Sequence, residues 1–128
     1  MSFEEVEVIK RRAEAFLKNA KYLLEIGEWD LSIFNLEQYC QLILKYKLLI
    51  KTGSYPRTHS LRRLIRELSK ISPKLESLIK DEDKLHYIAR LEEAYLTSRY
   101  IPYVYEESEA RSLLKFVIEI FKPLVDEV

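Results

Sequence analysis

Residues 27–53, GEWDLSIFNLEQYCQLILKYKLLIKTG, decide the fold. Trp29, Ile33, Leu36, Cys40 and Ile43 recur at spacings of three and four, with Phe34, Leu44 and Leu48 beside them, and the run begins and ends with glycine. That period marks one face of a helix, and a glycine just past the last apolar residue is where helices stop in a left-handed conformation. The spacing predicts a helix over about 29–51. Upstream, Ser2 with Glu5 three residues later forms a capping box, after which Val6, Ile9, Ala13, Phe16, Leu17, Ala20, Leu23 and Leu24 keep the helical period as far as Gly27. A first helix over about 3–26 follows. At about 1.5 Å per residue both are roughly 35 Å long, and their two-residue connection forces them antiparallel.

Downstream, SYPRT reads as a loop, and Leu61, Leu64, Ile65 and Leu68 define a short third helix. Its other side carries Arg62, Arg66 and Lys70 at fourfold spacing. Ser72 followed by Pro73 reads as an N-cap and first helical residue, opening a fourth helix with a break near Asp81–Asp83. RYIPYVYEES interrupts the pattern at Pro102, and a last helix begins near residue 106. The expected fold is all-α: one domain over 1–128, an up-and-down bundle of about five helices.

Two Gly and four Pro in 128 residues, with a third of the chain charged, suit long regular elements with few turns. No charge-free apolar run approaches the roughly 20 residues that span a bilayer, and MSFEEVEVIK is too acidic for a leader peptide. A cytoplasmic protein without membrane contact is expected. Cys40 is alone, which excludes an internal disulfide and suits a small core residue. His59 and His86 lie on different elements with no cysteine partner, so no metal is expected, and no cofactor either, since Gly27 and Gly53 are isolated and form no phosphate-cradling loop.

The formal net charge is zero, yet residues 45–74 hold nine Lys or Arg against the single acid Glu67. Acids exceed bases on both sides of that stretch. Such asymmetry makes a local field for anions, with Lys51, Arg62, Arg66 and Lys70 as its expected basic patch. Four further groupings carry chemistry. Glu37, Gln41 and Lys45 lie four apart on the second helix with Gln38 adjacent, either a solvated edge or a line facing a partner. His59, flanked by Arg57 and Arg62, precedes the third helix, where free backbone N–H groups favour anions. Arg99 ends the fourth helix, suited to its dipole or to pairing with Glu106 or Glu107. Tyr87, Tyr95, Tyr100, Tyr103 and Tyr105 crowd nineteen residues, which suits core packing, a dimer seam or base stacking.

In order along the chain, AEAFLKNAKYLLEIGEWDLSIFNLEQYCQLILKYKLL, THSLRRLIREL and SRYIPYVYEESEARSLLKFV resemble the HEPN family, helical domains named for nucleotide binding in higher eukaryotes and prokaryotes. The signature is a long helix ending before glycine and an aromatic, a glutamine-bearing second helix, His-x-Leu opening the third, Arg-Tyr before a proline turn and an acidic start to the last helix. The resemblance implies a bundle that pairs as a homodimer and works with a minimal nucleotidyltransferase in arrangements of toxin-antitoxin type. His59, Arg99, Tyr100, Gln38 and Lys45 match its polar positions, while Gln41 stands where Glu is frequent. Ribonuclease members carry an arginine followed, after four to six residues, by histidine, and no arginine here stands so before His59 or His86. After Arg99 that window holds Val104, Tyr105 and Glu106, so no imidazole is at the required spacing to move a proton.

The reading is therefore a non-catalytic module binding a nucleotide or RNA phosphate, with charge from Arg57, His59 and Arg99 and stacking surface from Tyr100 and Tyr103. His59 and Arg99 are expected to converge near a compensating carboxylate, Glu106 or Glu37. A divergent metal-independent ribonuclease using Arg99 with His59, and a purely structural interaction module, are the alternatives.

Overall fold

Ser2 opens α1 (Phe3–Glu25): its hydroxyl accepts from the Glu5 N–H and the Glu5 carboxylate accepts from the Ser2 N–H, both at 3.2 Å. Two donors that a helix start leaves orphaned are thus satisfied reciprocally. The computed structural model describes residues 1–128. Gly27, at φ +82°, turns the chain into α2 (Trp29–Thr52), which ends at Gly53 with φ +88°. Both are left-handed conformations that only glycine adopts without steric cost. Helices α1 and α2 pack along their lengths, and where Ser32 meets Ala20 its hydroxyl donates to the Ala20 carbonyl at 2.7 Å.

The burial of α2 exceeds what one apolar stripe implies. Beside Ile33, Leu36, Cys40, Ile43, Leu44 and Leu48, it buries Ser32, Asn35, Glu37 and Gln41, because the later helices wrap the side that α1 leaves open. A helix covered all round is the axis of its fold.

Helix α3 (Leu61–Ser69) starts at Ser60, whose hydroxyl accepts from the Arg63 N–H at 3.3 Å. Nine residues would not hold a helix alone. Leu61, Leu64, Ile65 and Leu68 are all fully buried, each contributing about 1.5–3 kcal/mol, and these hold it. The expected fourth helix is divided. Ser72 makes no side-chain cap, Pro73–Glu76 forms a 3₁₀ turn, and α4 (Ser77–Lys80) ends at Asp81, whose carboxylate accepts from the Lys84 N–H at 3.0 Å and opens α5 (Glu82–Thr97).

Residues 98–106 cross to α6 (Glu107–Phe116), and this segment is clasped by Tyr105. Its ring is 1 % exposed, its hydroxyl lies 2.6 Å from Thr97 Oγ1, and its N–H donates to Asp30 at 2.8 Å. The last helix is also interrupted: Val117–Phe121 is a π turn in which the Lys122 N–H reaches back to Val117, before α7 (Lys122–Asp126). Pro123 supplies the reason, since it has no N–H to return to Glu119 and an α-helical register through it loses that bond. The architecture is an all-α bundle, and no helix is long and apolar enough to cross a membrane.

Candidate functional site

The polar line on α2 is buried rather than a solvated edge. Glu37 is 0 % and Gln41 4 % exposed, because α1, α3, α5 and α6 all pack on this helix. Glu37 accepts from Gln38 Nε2 at 2.7 Å and, through its other oxygen, from Gln41 Nε2. Gln41 in turn accepts from Lys45 Nζ at 3.4 Å. Burial pushes the Glu37 carboxyl from its ordinary 4.5 up to about 7, although both glutamine amides, Arg99 and Lys45 favour the charged form. Lys45 is pushed down by burial, which Glu37 opposes, and its ammonium lies 5.3 Å from the Tyr55 ring centroid. A buried carboxyl between two cations that still tends to hold its proton near neutrality leaves a net positive field here.

His59 and Arg99 both pack on Tyr95. The His59 ring stacks on it at 4.3 Å between centroids, with His59 Nε2 3.1 Å from the Tyr95 hydroxyl. The Arg99 guanidinium lies 4.4 Å from the same ring's centroid, 5.0 Å from that of Phe34 and 4.7 Å from that of Tyr100. Its Nε donates to the Tyr95 carbonyl at 3.1 Å. His59 and Arg99, forty residues apart, therefore meet on one ring, and the carboxyl whose charge Arg99 feels is Glu37. Glu106 is engaged elsewhere, in a capping box with Glu109 at the start of α6. Arg99 is exposed and has no carboxylate within 4 Å, so its terminal N–H groups lack any protein acceptor. Three aromatic rings thus hold a cation whose donors face solvent.

The other expected residues are scattered around this cluster. Tyr100 joins it and is largely exposed. Tyr103 does not: its ring packs edge-on against Tyr105 at 4.7 Å and lies beside Arg90, which is ion-paired to Glu109. Arg57 is exposed and makes no ion pair, and the structure places it in the loop two residues before His59. The basic patch is partly neutralised. Arg62 is bonded to Glu92 of α5 at 2.7 Å and Lys70 to Glu67 at 3.1 Å, leaving Lys51 and Arg66 exposed without a carboxylate partner. Counting charges along residues 45–74 omits Glu92, which only the fold brings close. Tyr95, Phe34 and Tyr55 are the contributors that sequence reasoning did not assign to the site. For Tyr95 a signal existed, since it stands four residues before Arg99 on one helix face.

No curated protein matches the chain closely enough to count as a relative. The family model of the HEPN domain matches residues 6–128, from the second turn of α1 through the end of α7, and the chain belongs to the HEPN family.

Proposed function

We propose that this chain is a non-catalytic HEPN module which binds a phosphate group of a nucleotide or nucleic acid at Arg99, and which acts as a homodimer beside a small nucleotidyltransferase in a pair of toxin-antitoxin type. Family membership supports a nucleotide- or RNA-related module. The observation that carries the binding is Arg99: a guanidinium fixed by the Phe34, Tyr95 and Tyr100 rings, with unpartnered donors at the surface and no carboxylate to compete. Held so, it loses little side-chain entropy when a phosphate arrives. His59 and Arg57 add charge from the α2–α3 loop, Tyr100 offers a stacking face, and Tyr103 lies further along the same segment. Leu96, Tyr100, Ile101 and Val104, all more than half exposed around this site, supply apolar area for a second copy to cover.

The test is titration of purified protein with ATP and with a short single-stranded RNA at about 50 mM salt. Arg99→Ala abolishes saturable RNA binding and removes one class of ATP site, while the helical signal and unfolding midpoint stay close to wild type. Binding unchanged in that variant overturns the assignment. A monomer mass by light scattering up to roughly 100 μM removes the homodimer.

One observation favours a second reading. His59 and Arg99 share the Tyr95 ring, so the fold pairs an imidazole with a guanidinium despite the missing linear spacing. A divergent metal-independent ribonuclease would use that pair. RNA incubated with the protein in excess EDTA separates the two: the module leaves it intact, and cleavage lost in His59→Ala establishes the enzyme.

A further inference from the structure

On the face of α2 turned away from Glu37 and Arg99 lies a cavity of about 530 Å³. Tyr39, Ile43 and Lys47 each stand two residues from Glu37, Gln41 or Lys45, about 200° round the helix, so the two sites sit back to back. Five lysines line the cavity: Lys10, Lys18 and Lys21 from α1, Lys47 from α2 and Lys122 from α7. Glu14 and Asp126 are its carboxylates. Asp126 is taken by Lys122 at 2.6 Å, and Lys10, Lys18 and Lys21 have no carboxylate within 4 Å.

Two details point to an anion site. Lys47 donates to the carbonyls of Val128 and Asp126 at 3.0 and 3.4 Å, and burial, with Lys51 and Lys10 nearby, pushes it below the ordinary lysine value against the pull of Asp126. Five lysines against two carboxylates leave an excess of positive charge that favours whatever anion fits between them. Tyr39, 1 % exposed and part of the cavity wall, has a hydroxyl with no hydrogen-bond partner. Orphaned buried donors are rare in folded proteins; this one is closed to solvent, and a small shift of the wall on binding brings it within reach of an anionic oxygen in the cavity.

We propose that this cavity binds a compact oligophosphate, its oxygens held by Lys10, Lys18 and Lys47 with one accepting from the Tyr39 hydroxyl. The lining holds lysine and no arginine, so it presents point charges around one volume rather than forks for the planar carboxylates of an acidic peptide. The concave shape suits a short phosphate chain better than an extended polymer. Its source is either a free inorganic chain or the phosphate end of a nucleoside triphosphate.

The full chain is titrated with tripolyphosphate and with ATP at about 50 mM salt, by calorimetry and amide chemical shifts. Tripolyphosphate binds saturably, and shifts concentrate in residues 10–21 and 122–126. Lys18→Gln combined with Lys47→Gln weakens it at least tenfold. Tyr39→Phe, which keeps the buried ring, weakens it about threefold. Arg99→Ala leaves the shifts in residues 10–21 and 122–126 and their midpoint unchanged, which separates this site from the one in the proposed function. Equal affinity for the two probes assigns the free chain, and tighter ATP assigns the nucleoside source. The proposal is overturned by absence of saturable tripolyphosphate binding, by binding that survives the lysine and Tyr39 variants, by its loss in Arg99→Ala, or by binding of a short RNA alone.

Discussion

Glu37→Gln isolates the energy stored in the buried carboxyl. In the folded protein its value rises from 4.5 to about 7, a difference of about 2.5 units that corresponds to about 3 kcal/mol. The sign follows from which state holds the proton more tightly. Below about pH 4.5 both folded and unfolded chains carry it, and the full contribution is present. As pH rises through 7 the unfolded chain has released its proton while the folded one is held back by burial, so stability is lost. The glutamine variant has the same shape and no titrating group. Whatever constant offset the substitution brings, the stability of the variant minus that of wild type grows by about 3 kcal/mol between pH 4 and pH 8. All other groups titrate in both proteins and cancel. Urea unfolding followed by the helical circular-dichroism signal, at unit intervals of pH, measures this directly, with unchanged denaturant dependence as the control. In thermal melts the same change is a shift of about 10 °C. A difference that stays flat with pH, or opens in the opposite direction, refutes the assignment of a desolvated carboxyl at this position.

The remaining predictions concern parts of the fold around it. Since Glu37 loses its charge near neutrality, phosphate or ATP affinity at the Arg99 site rises as pH falls from about 8 to 6, and Glu37→Gln flattens that profile in calorimetric titrations. Arg66→Glu lowers retention on heparin without moving the urea midpoint, whereas Arg62→Glu also costs about 1 kcal/mol, because it strands Glu92, whose side chain is only 16 % exposed; equal midpoints for the two variants count against the cross-helix pair. Gly53→Ala costs about 1 kcal/mol through backbone strain alone, as nothing lies within 4 Å of the added methyl. An unchanged midpoint in that variant means α2 ends otherwise than at a left-handed residue.

The helix boundaries were legible where local chemistry punctuates the chain. Ser2 with Glu5, Gly27, Gly53 and the break at Asp81 each act within four residues, which is the range that sequence patterns report. The π turn escaped because the apolar spacing from Leu113 to Phe121 is that of an ordinary helix, and only the missing N–H of Pro123 hinted otherwise. Burial of Glu37 and Gln41 also escaped, since polar residues on one side of α2 look like a solvent face until other helices are placed. Arg62 with Glu92 and His59 with Tyr95 are thirty and thirty-six residues apart. The fold alone creates such pairs. Arg99 and His59 were identifiable as residue types, but the ring that joins them was not.

Tyr105 closes the segment after α5 on itself, with its hydroxyl at Thr97 and its N–H at Asp30. Between these two fixed points Arg99 packs on Phe34 and Tyr95 and Tyr103 lies beside Arg90, while Ile101, Pro102 and Val104 are exposed. Closing a longer loop costs little, roughly 0.6 kcal/mol for each doubling of length. Insertions or exchanges at Ile101–Pro102 therefore leave the register of α5 against α6 intact. This short excursion is where residues are added or removed most cheaply, and where a graft for a different surface recognition is best placed, beside Arg99 but without disturbing how the bundle packs.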